Sequence, residues 1–360
     1  MCQKSARLAW MIAAFACLAI TGPQASATEP VRPMIAPPLL KPGDTIMFVA
    51  PAGPLDRQRM ELAKQRLEER GYRIKMRDDM FAETGYLAGS DQRRAEELMQ
   101  AFLDPEVDAV FPGTGGYGTM RMLELLDFAA IRANPKLFIG FSDITALHSA
   151  LNQHAGLVTY HSPNPMWGLG SEDNLQPFSA KYFFGAVEQA AHDELADPQD
   201  GYLIECPDGV PQPVAWGSGR ARGRLVGGNL SLVAAVEGTP YAIDTQDAIL
   251  LIEDVHEAPY RIDRMLRQLQ LAGKLEGLRG AVLGQFTDAY DEDEEQPAEG
   301  DDFSVNGVLR QYFADAGIPV LMNFPIGHYP QNCTLPLGAE VEIDADAGTL
   351  RVLPLLAPGH

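Results

Sequence analysis

Cysteine is scarce, four in 360 residues, so no disulfide framework of the kind that staples small secreted domains can be built from this chain. Cations are also short, 28 Lys and Arg against 49 Asp and Glu, for a formal net charge of −21. That balance excludes nucleic acid as a partner, because phosphates need a basic face, and it disfavours an electrostatic membrane contact. The apolar run from Leu8 to Ile20 is too short to serve as a membrane anchor, which needs about twenty residues. No internal repeat is visible. His256-Glu257 could open a zinc motif, but the spacing demands a second histidine where Tyr260 stands. The acid-rich stretch 288–302 matches no calcium-loop pattern and reads as a solvated loop of mutually repelling charges. No metal and no organic cofactor is therefore expected.

Lys4 and Arg7 precede the short apolar run, and Gly22, Pro23 and then Ala25-Ser26-Ala27 follow it. This is the layout of a secretory leader cut after Ala27, which predicts a periplasmic protein; a buried first helix of a cytoplasmic domain is the alternative. Cleavage would remove Cys2 and Cys17 and leave Cys206 and Cys333, which could pair or stay free. The remaining length, roughly 330 residues, fits two domains of about 150 each. Oligomeric state stays open, a homodimer included.

After a Pro-rich lead (28–42), the first half alternates strand-like runs at 45–50, 72–76, 107–111 and 137–141 with helical patterns at 56–70, 92–103, 119–128 and 143–154. Short apolar strands separated by helices imply an α/β fold with a parallel sheet covered on both faces, over 43–167. Residues 168–212, with one helical stretch near 178–188, read as a passage between domains. The second domain, 213–356, is expected to be a smaller mixed α/β unit with strands at 223–226, 248–253, 280–285 and 340–344 and helices at 230–237, 261–272 and 305–316.

Four segments could carry chemistry. Gly140-Phe141-Ser142-Asp143 puts a serine where a strand ends and a helix begins, the corner that lifts a nucleophilic hydroxyl above a sheet and aims the next N–H at a developing oxyanion. Ile144 stands where the usual motif has its second glycine, so on this pattern alone a plain helix cap by Ser142 or Asp143 is the better reading. Gly113-Thr114-Gly115-Gly116-Tyr117-Gly118 spells a dinucleotide fingerprint, but it follows a late strand. Glycines there also let a backbone N–H approach another group closely, as a second oxyanion donor must. The apolar strand ending in Glu253-Asp254 could bury a carboxylate beside a histidine or merely pair it with Arg261 or Arg264. Gly327-His328 supplies a loop-borne histidine.

Together these segments resemble the LD-carboxypeptidase family of serine peptidases, which includes the microcin-immunity peptidases. The likeness rests on Gly115-Gly116-Tyr117-Gly118 with Arg121 and Leu123, the run from Gly140 to Leu147, Gly227-Gly228-Asn229-Leu230, Leu251-Ile252-Glu253-Asp254 ahead of Arg261 and Arg264-Met265-Leu266, and Gly327-His328. It spans about residues 42–353, and Val49-Ala50-Pro51-Ala52-Gly53 fits the same pattern. His161-Ser162-Pro163 departs from it, since relatives often carry glycine after that histidine. The resemblance implies Ser142 as nucleophile in the N-terminal domain, with Glu253 as acid and His328 as base in the C-terminal one. It further implies an oxyanion hole from the N–H groups of Gly116 and Asp143, and a peptidoglycan-derived peptide as substrate, losing a terminal D-alanine. Residues that bind the substrate carboxylate are not assigned by it. Another amide, such as a peptide-nucleotide toxin, or a non-catalytic murein-binding role on the same scaffold, remains open; a nucleotide-dependent oxidoreductase is remote. An amidotransferase is disfavoured by serine at the corner, where that chemistry uses cysteine.

Overall fold

The computed structural model describes residues 33–289 and 301–355; the expected leader with its cut after Ala27, and most of 288–302, lie outside the described residues. The first part of the chain runs β1 (Thr45–Val49), α1 (Arg57–Glu69), β2 (Arg73–Lys75), α2 (Asp91–Leu103), β3 (Ala109–Pro112), α3 (Phe128–Ala133), β4 (Leu137–Gly140), α4 (Thr145–Ala150) and β5 (Thr159–His161). Then come α5 (Pro177–Val187), α6 (Gln189–Leu195), β6 (Tyr202–Ile204), β7 (Val214–Trp216), β8 (Arg220–Asn229), α7 (Leu230–Ala235), β9 (Ile249–Val255), α8 (Pro259–Leu271) and β10 (Gly280–Thr287). The chain closes with α9 (Val305–Phe313), β11 (Val320–Met322), β12 (Leu335–Leu337), β13 (Glu340–Asp344) and β14 (Thr349–Val352).

These strands form two sheets, ordered β12-β5-β4-β3-β1-β2 and β6-β14-β13-β8-β9-β10-β11-β7. The first is parallel except for β12. The second has a parallel centre, β8 to β11, with antiparallel strands on both flanks. Expected to be the smaller of the two, it has eight strands against six. The central strands of both sheets are buried on both faces, and their residues alternate between two cores as the two-residue period of a strand requires. Ile46 and Phe48 face one apolar cluster while Met47 and Val49 face another, and Ile249 and Leu251 are likewise opposed to Leu250 and Ile252.

Two expected helices are broken, for local reasons. Thr119–Leu125 is a tight three-residue-period helix, and α3 starts afresh because Asp127 turns out of helical geometry and its carboxylate accepts the Ala130 N–H at 2.9 Å. The stretch 143–154 opens with a tight turn at Ser142–Ile144, passes into α4, and ends in a widened turn, Leu151–Ala155, closed by left-handed Gly156. Residues 168–212, expected as a passage, contain α5, α6 and β6. Helix α5 is a shared wedge: Phe178 and Tyr182 enter a core of the second sheet, and Phe183, Ala186 and Val187 a core of the first. β12 likewise crosses back to extend the first sheet beside β5. Cys206 and Cys333 are both free thiols.

Candidate active site

The site is assembled from three segments that are remote in the chain. β4 ends at Gly140, Phe141 is extended, and Ser142 adopts φ 66°, a left-handed conformation that costs a non-glycine residue about 1–3 kcal/mol. The corner turns the hydroxyl out of the sheet ahead of α4. β9 delivers Glu253, fully buried, and the loop after β11 delivers His328. His328 Nδ1 lies 2.7 Å from Glu253 Oε2, and His328 Nε2 lies 3.0 Å from Ser142 Oγ. A carboxylate can only accept, so Nδ1 carries the proton and Nε2 is left to accept from the serine hydroxyl. Burial alone would lower the His328 pKa and raise that of Glu253. Their mutual attraction and hydrogen bond outweigh it, leaving the imidazole above its ordinary value and the carboxyl below its own.

Neither Glu253 nor Asp254 pairs with Arg261 or Arg264. Arg261 reaches Glu257 instead, at 3.8 Å, and Asp254 is bound by Asn229 Nδ2, the Ser231 N–H and hydroxyl, and the Val255 N–H. Burial first, and then the adjoining Glu253 charge, push Asp254 up to about 6, so the two neighbouring carboxyls are driven apart and Glu253 is held as the anion. Asn229 also ties the sheets together, its N–H donating to Thr145 Oγ1 at 3.0 Å on the helix behind the serine.

Two glycines make this closeness geometrically feasible. A Cβ on Gly115 would lie 2.7 Å from Ser142 Cβ, 2.9 Å from its Oγ and 3.1 Å from the Asp143 nitrogen. The glycine-rich run is therefore the second wall of the serine corner, and its dinucleotide spelling is accounted for by packing. The Gly115 carbonyl accepts from the Gly53 N–H at 3.0 Å; across the trans peptide this turns the Gly116 N–H to the opposite side, where it has no protein acceptor among the described residues. Gly327, at φ 119°, would put a Cβ 2.7 Å from Glu253 Oε2, so only glycine lets the histidine loop lie on the acid.

Asp143, expected for its N–H, has a side-chain role as well. Its carboxylate accepts the Thr119 N–H at 2.9 Å and its carbonyl accepts the Thr119 hydroxyl at 2.6 Å, pinning the glycine-rich run over Ser142. His161, noted above only for the residue that follows it, is fully buried in ring contact with Phe141, and burial lowers its pKa to about 4. It stays neutral beside the relay and does not compete with His328. No pattern in the sequence singles out Thr119, whose partner Asp143 lies 24 residues away, or shows that Asn229 holds Thr145 and Asp254, 84 and 25 residues distant. The relay opens into a cleft of about 860 Å³ whose walls include Tyr86, Thr114, Tyr117, Asn164, Trp167 and Asn332.

The sequence matches two family models in order, the LD-carboxypeptidase N-terminal domain over residues 46–162 and the LD-carboxypeptidase C-terminal domain over residues 222–343. A Bacillus subtilis protein named "Probable murein peptide carboxypeptidase" is 39% identical, covering 86% of this chain and 91% of its own length. The "Murein tetrapeptide carboxypeptidase" of Pseudomonas aeruginosa is 32% identical, covering 84% and 93%. Among solved structures, muramoyltetrapeptide carboxypeptidase from Oxalobacter formigenes superimposes with a TM-score of 0.70 at 29% identity, over 88% of this chain and all of that one. The microcin C7 self immunity protein MccF shares the fold with a TM-score of 0.78 at 24% identity, over 90% of this chain and all of that one. With both domain models matched and relatives of this identity aligned over nearly their whole length, the chain belongs to the LD-carboxypeptidase family and is a carboxypeptidase of the hydrolase class.

Proposed function

We propose that the protein is a serine-type LD-carboxypeptidase that releases the terminal D-alanine from murein tetrapeptides. The observation that carries this reading is the continuous Ser142, His328, Glu253 hydrogen-bonded relay, at 3.0 and 2.7 Å, opening into the cleft. His328 Nε2 takes the Ser142 proton as Oγ bonds to the scissile carbonyl carbon. Glu253 holds the ring in the Nδ1–H tautomer and balances the imidazolium. The negative oxygen of the tetrahedral intermediate is taken by the N–H groups of Asp143 and Gly116, each contributing about 3 kcal/mol. As the intermediate collapses, the carbon–nitrogen bond breaks and His328 gives its proton to the leaving D-alanine amine. Water, deprotonated by the same imidazole, then hydrolyses the ester on Ser142. Every bond is made and broken by side chains, backbone donors and water. A leader removed after Ala27 would bring the enzyme to the compartment where this substrate lies.

The test is mass spectrometry of a purified tetrapeptide muropeptide incubated with wild type and Ser142→Ala. Wild type releases D-alanine; Ser142→Ala keeps the fold and releases none, and turnover by that variant would overturn the assignment. A second reading, hydrolysis of a peptide-nucleotide conjugate, is favoured by the exposed rings of Tyr86, Tyr117 and Trp167 on the cleft, which could stack a base. Relative rates on muropeptide and conjugate separate the two.

A further inference from the structure

Cleavage of a terminal residue requires recognition of a free carboxylate, for which arginine is the usual partner. Among the described residues no Lys or Arg lines the cleft, and Asp173 adds a negative charge to its wall. The carboxylate must therefore be met by neutral donors.

Chemistry locates where they must be. His328 protonates the leaving amine, so the leaving residue rests against the loop that carries His328. Its carboxylate lies only two bonds beyond that amine, roughly 3 Å away. On that loop Asn332 is 3% exposed, and its Oδ1 accepts the Gly327 N–H at 3.1 Å. A backbone N–H can only donate, so the amide cannot be turned round and its NH₂ faces away from Gly327. Asn164, 2% exposed, is locked in the same way, with Oδ1 accepting the Trp167 N–H at 3.0 Å. Neither Nδ2 is enclosed or donates to a protein acceptor among the described residues, and both residues line the cleft.

The two asparagines line one cleft from opposite halves of the chain. The antiparallel register of β5 and β12 sets His161 against Leu335. Just beyond these strands the hydroxyls of Ser162 and Thr334 are hydrogen-bonded at 2.8 Å, and Asn164 and Asn332 each lie two residues further along the loops that this bond joins. One asparagine thus comes from each half of the chain, with its oxygen engaged by a backbone N–H and its NH₂ left without a protein acceptor among the described residues.

We propose that the paired amides of Asn332 and Asn164 form the site for the substrate's terminal carboxylate, a neutral clamp of N–H donors that makes the enzyme a carboxypeptidase rather than an endopeptidase. This deepens the proposed function and rests on His328 acting toward the leaving amine.

Asn332→Asp isolates the role, because it keeps the oxygen that accepts Gly327 N–H and replaces only the NH₂ with a repelling oxygen. Calorimetry in the full-length Ser142→Ala protein would compare a tetrapeptide ending in free D-alanine with the same peptide as its C-terminal amide. The free acid is expected to bind at least about tenfold more tightly than the amide. In Ser142→Ala/Asn332→Asp that preference is lost or inverted. In the hydrolytic enzyme, Asn332→Asp raises KM for the acid far more than for the amide. Equal binding of acid and amide to Ser142→Ala, or an unchanged preference in the Asn332→Asp and Asn164→Asp variants, overturns the proposal. Should Asn332→Asp lose its cooperative thermal transition, Asn164→Asp carries the same comparison. If wild type fails to release D-alanine while the acid preference and its loss persist, the hydrolytic reading fails and the carboxylate site stands.

Discussion

Replacing Glu253 with glutamine tests the relay where its energetics are most exposed. The carboxylate is fully buried and 2.7 Å from the imidazole, so water cannot substitute for its charge. Opposite charges about 4 Å apart at an effective dielectric constant near 20 attract by about 4 kcal/mol, which is close to a thousandfold in rate for an imidazolium formed in the transition state. Glutamine also presents an N–H₂ that can oppose Nδ1–H and favour the tautomer whose Nε2 cannot accept from Ser142; in comparable triads the amide costs about 10⁴ in kcat. The expected loss is therefore about 10³ to 10⁴ in kcat, with KM nearly unchanged. Stability at pH 8 should fall only modestly: the carboxyl is held below its ordinary value, so its ionised form contributes to folding and glutamine forfeits that contribution. The imidazole can become neutral, so no charge is stranded, and Glu253 Oε1 has no hydrogen-bond partner to lose among the described residues. D-alanine release and thermal unfolding at pH 8 make the two measurements. A folded Glu253→Gln enzyme within about tenfold of wild-type kcat would refute the reasoning.

The remaining predictions concern the serine corner and the proton. Gly115→Ala would drive a methyl against Ser142 Cβ, 2.7 Å away, and against its hydroxyl; kcat should fall by about a hundredfold while unfolding shifts by about 1–3 kcal/mol, read by steady-state kinetics and denaturant titration. The pH dependence has a definite sign: a protonated His328 cannot accept the serine proton, so kcat/KM rises as that proton leaves. Glu253 holds the imidazole above its usual value, so the midpoint of the acid limb should lie above about 6.5 in wild type and move lower in Glu253→Gln. A wild-type midpoint below the ordinary histidine range would contradict the charge arrangement.

Much of the framework was readable from local pattern. The unbroken apolar runs at 45–50 and 248–253 can only be strands buried on both faces, and the serine after 137–141 could be placed on a strand-to-helix corner without coordinates. What escaped was short or held from a distance. β5, β11, β12 and β14 have three or four residues each, too few for a period to declare itself, and β12 pairs with a strand remote in the chain, β5. α6 carries no buried residue, and so has no apolar stripe to mark it. Thr119 was missed because it owes its importance to hydrogen bonds made 24 residues away, and the partners of Asp254 escaped for the same reason.

By itself, then, the sequence determined which residues have the chemistry and the local setting to react: a serine where a strand gives way to a helix, an acid at the end of an apolar strand, a histidine after a glycine. Only the tertiary structure decided that residues 142, 253 and 328 touch, that Asp254 binds Asn229 and Ser231 and not an arginine, and that Asn164 and Asn332 line one cleft. The reason is physical. Strand and turn preferences act over a few residues, whereas the relay spans separations of 75 and 186 residues and exists only once β8 docks on α4 and β12 crosses to β5.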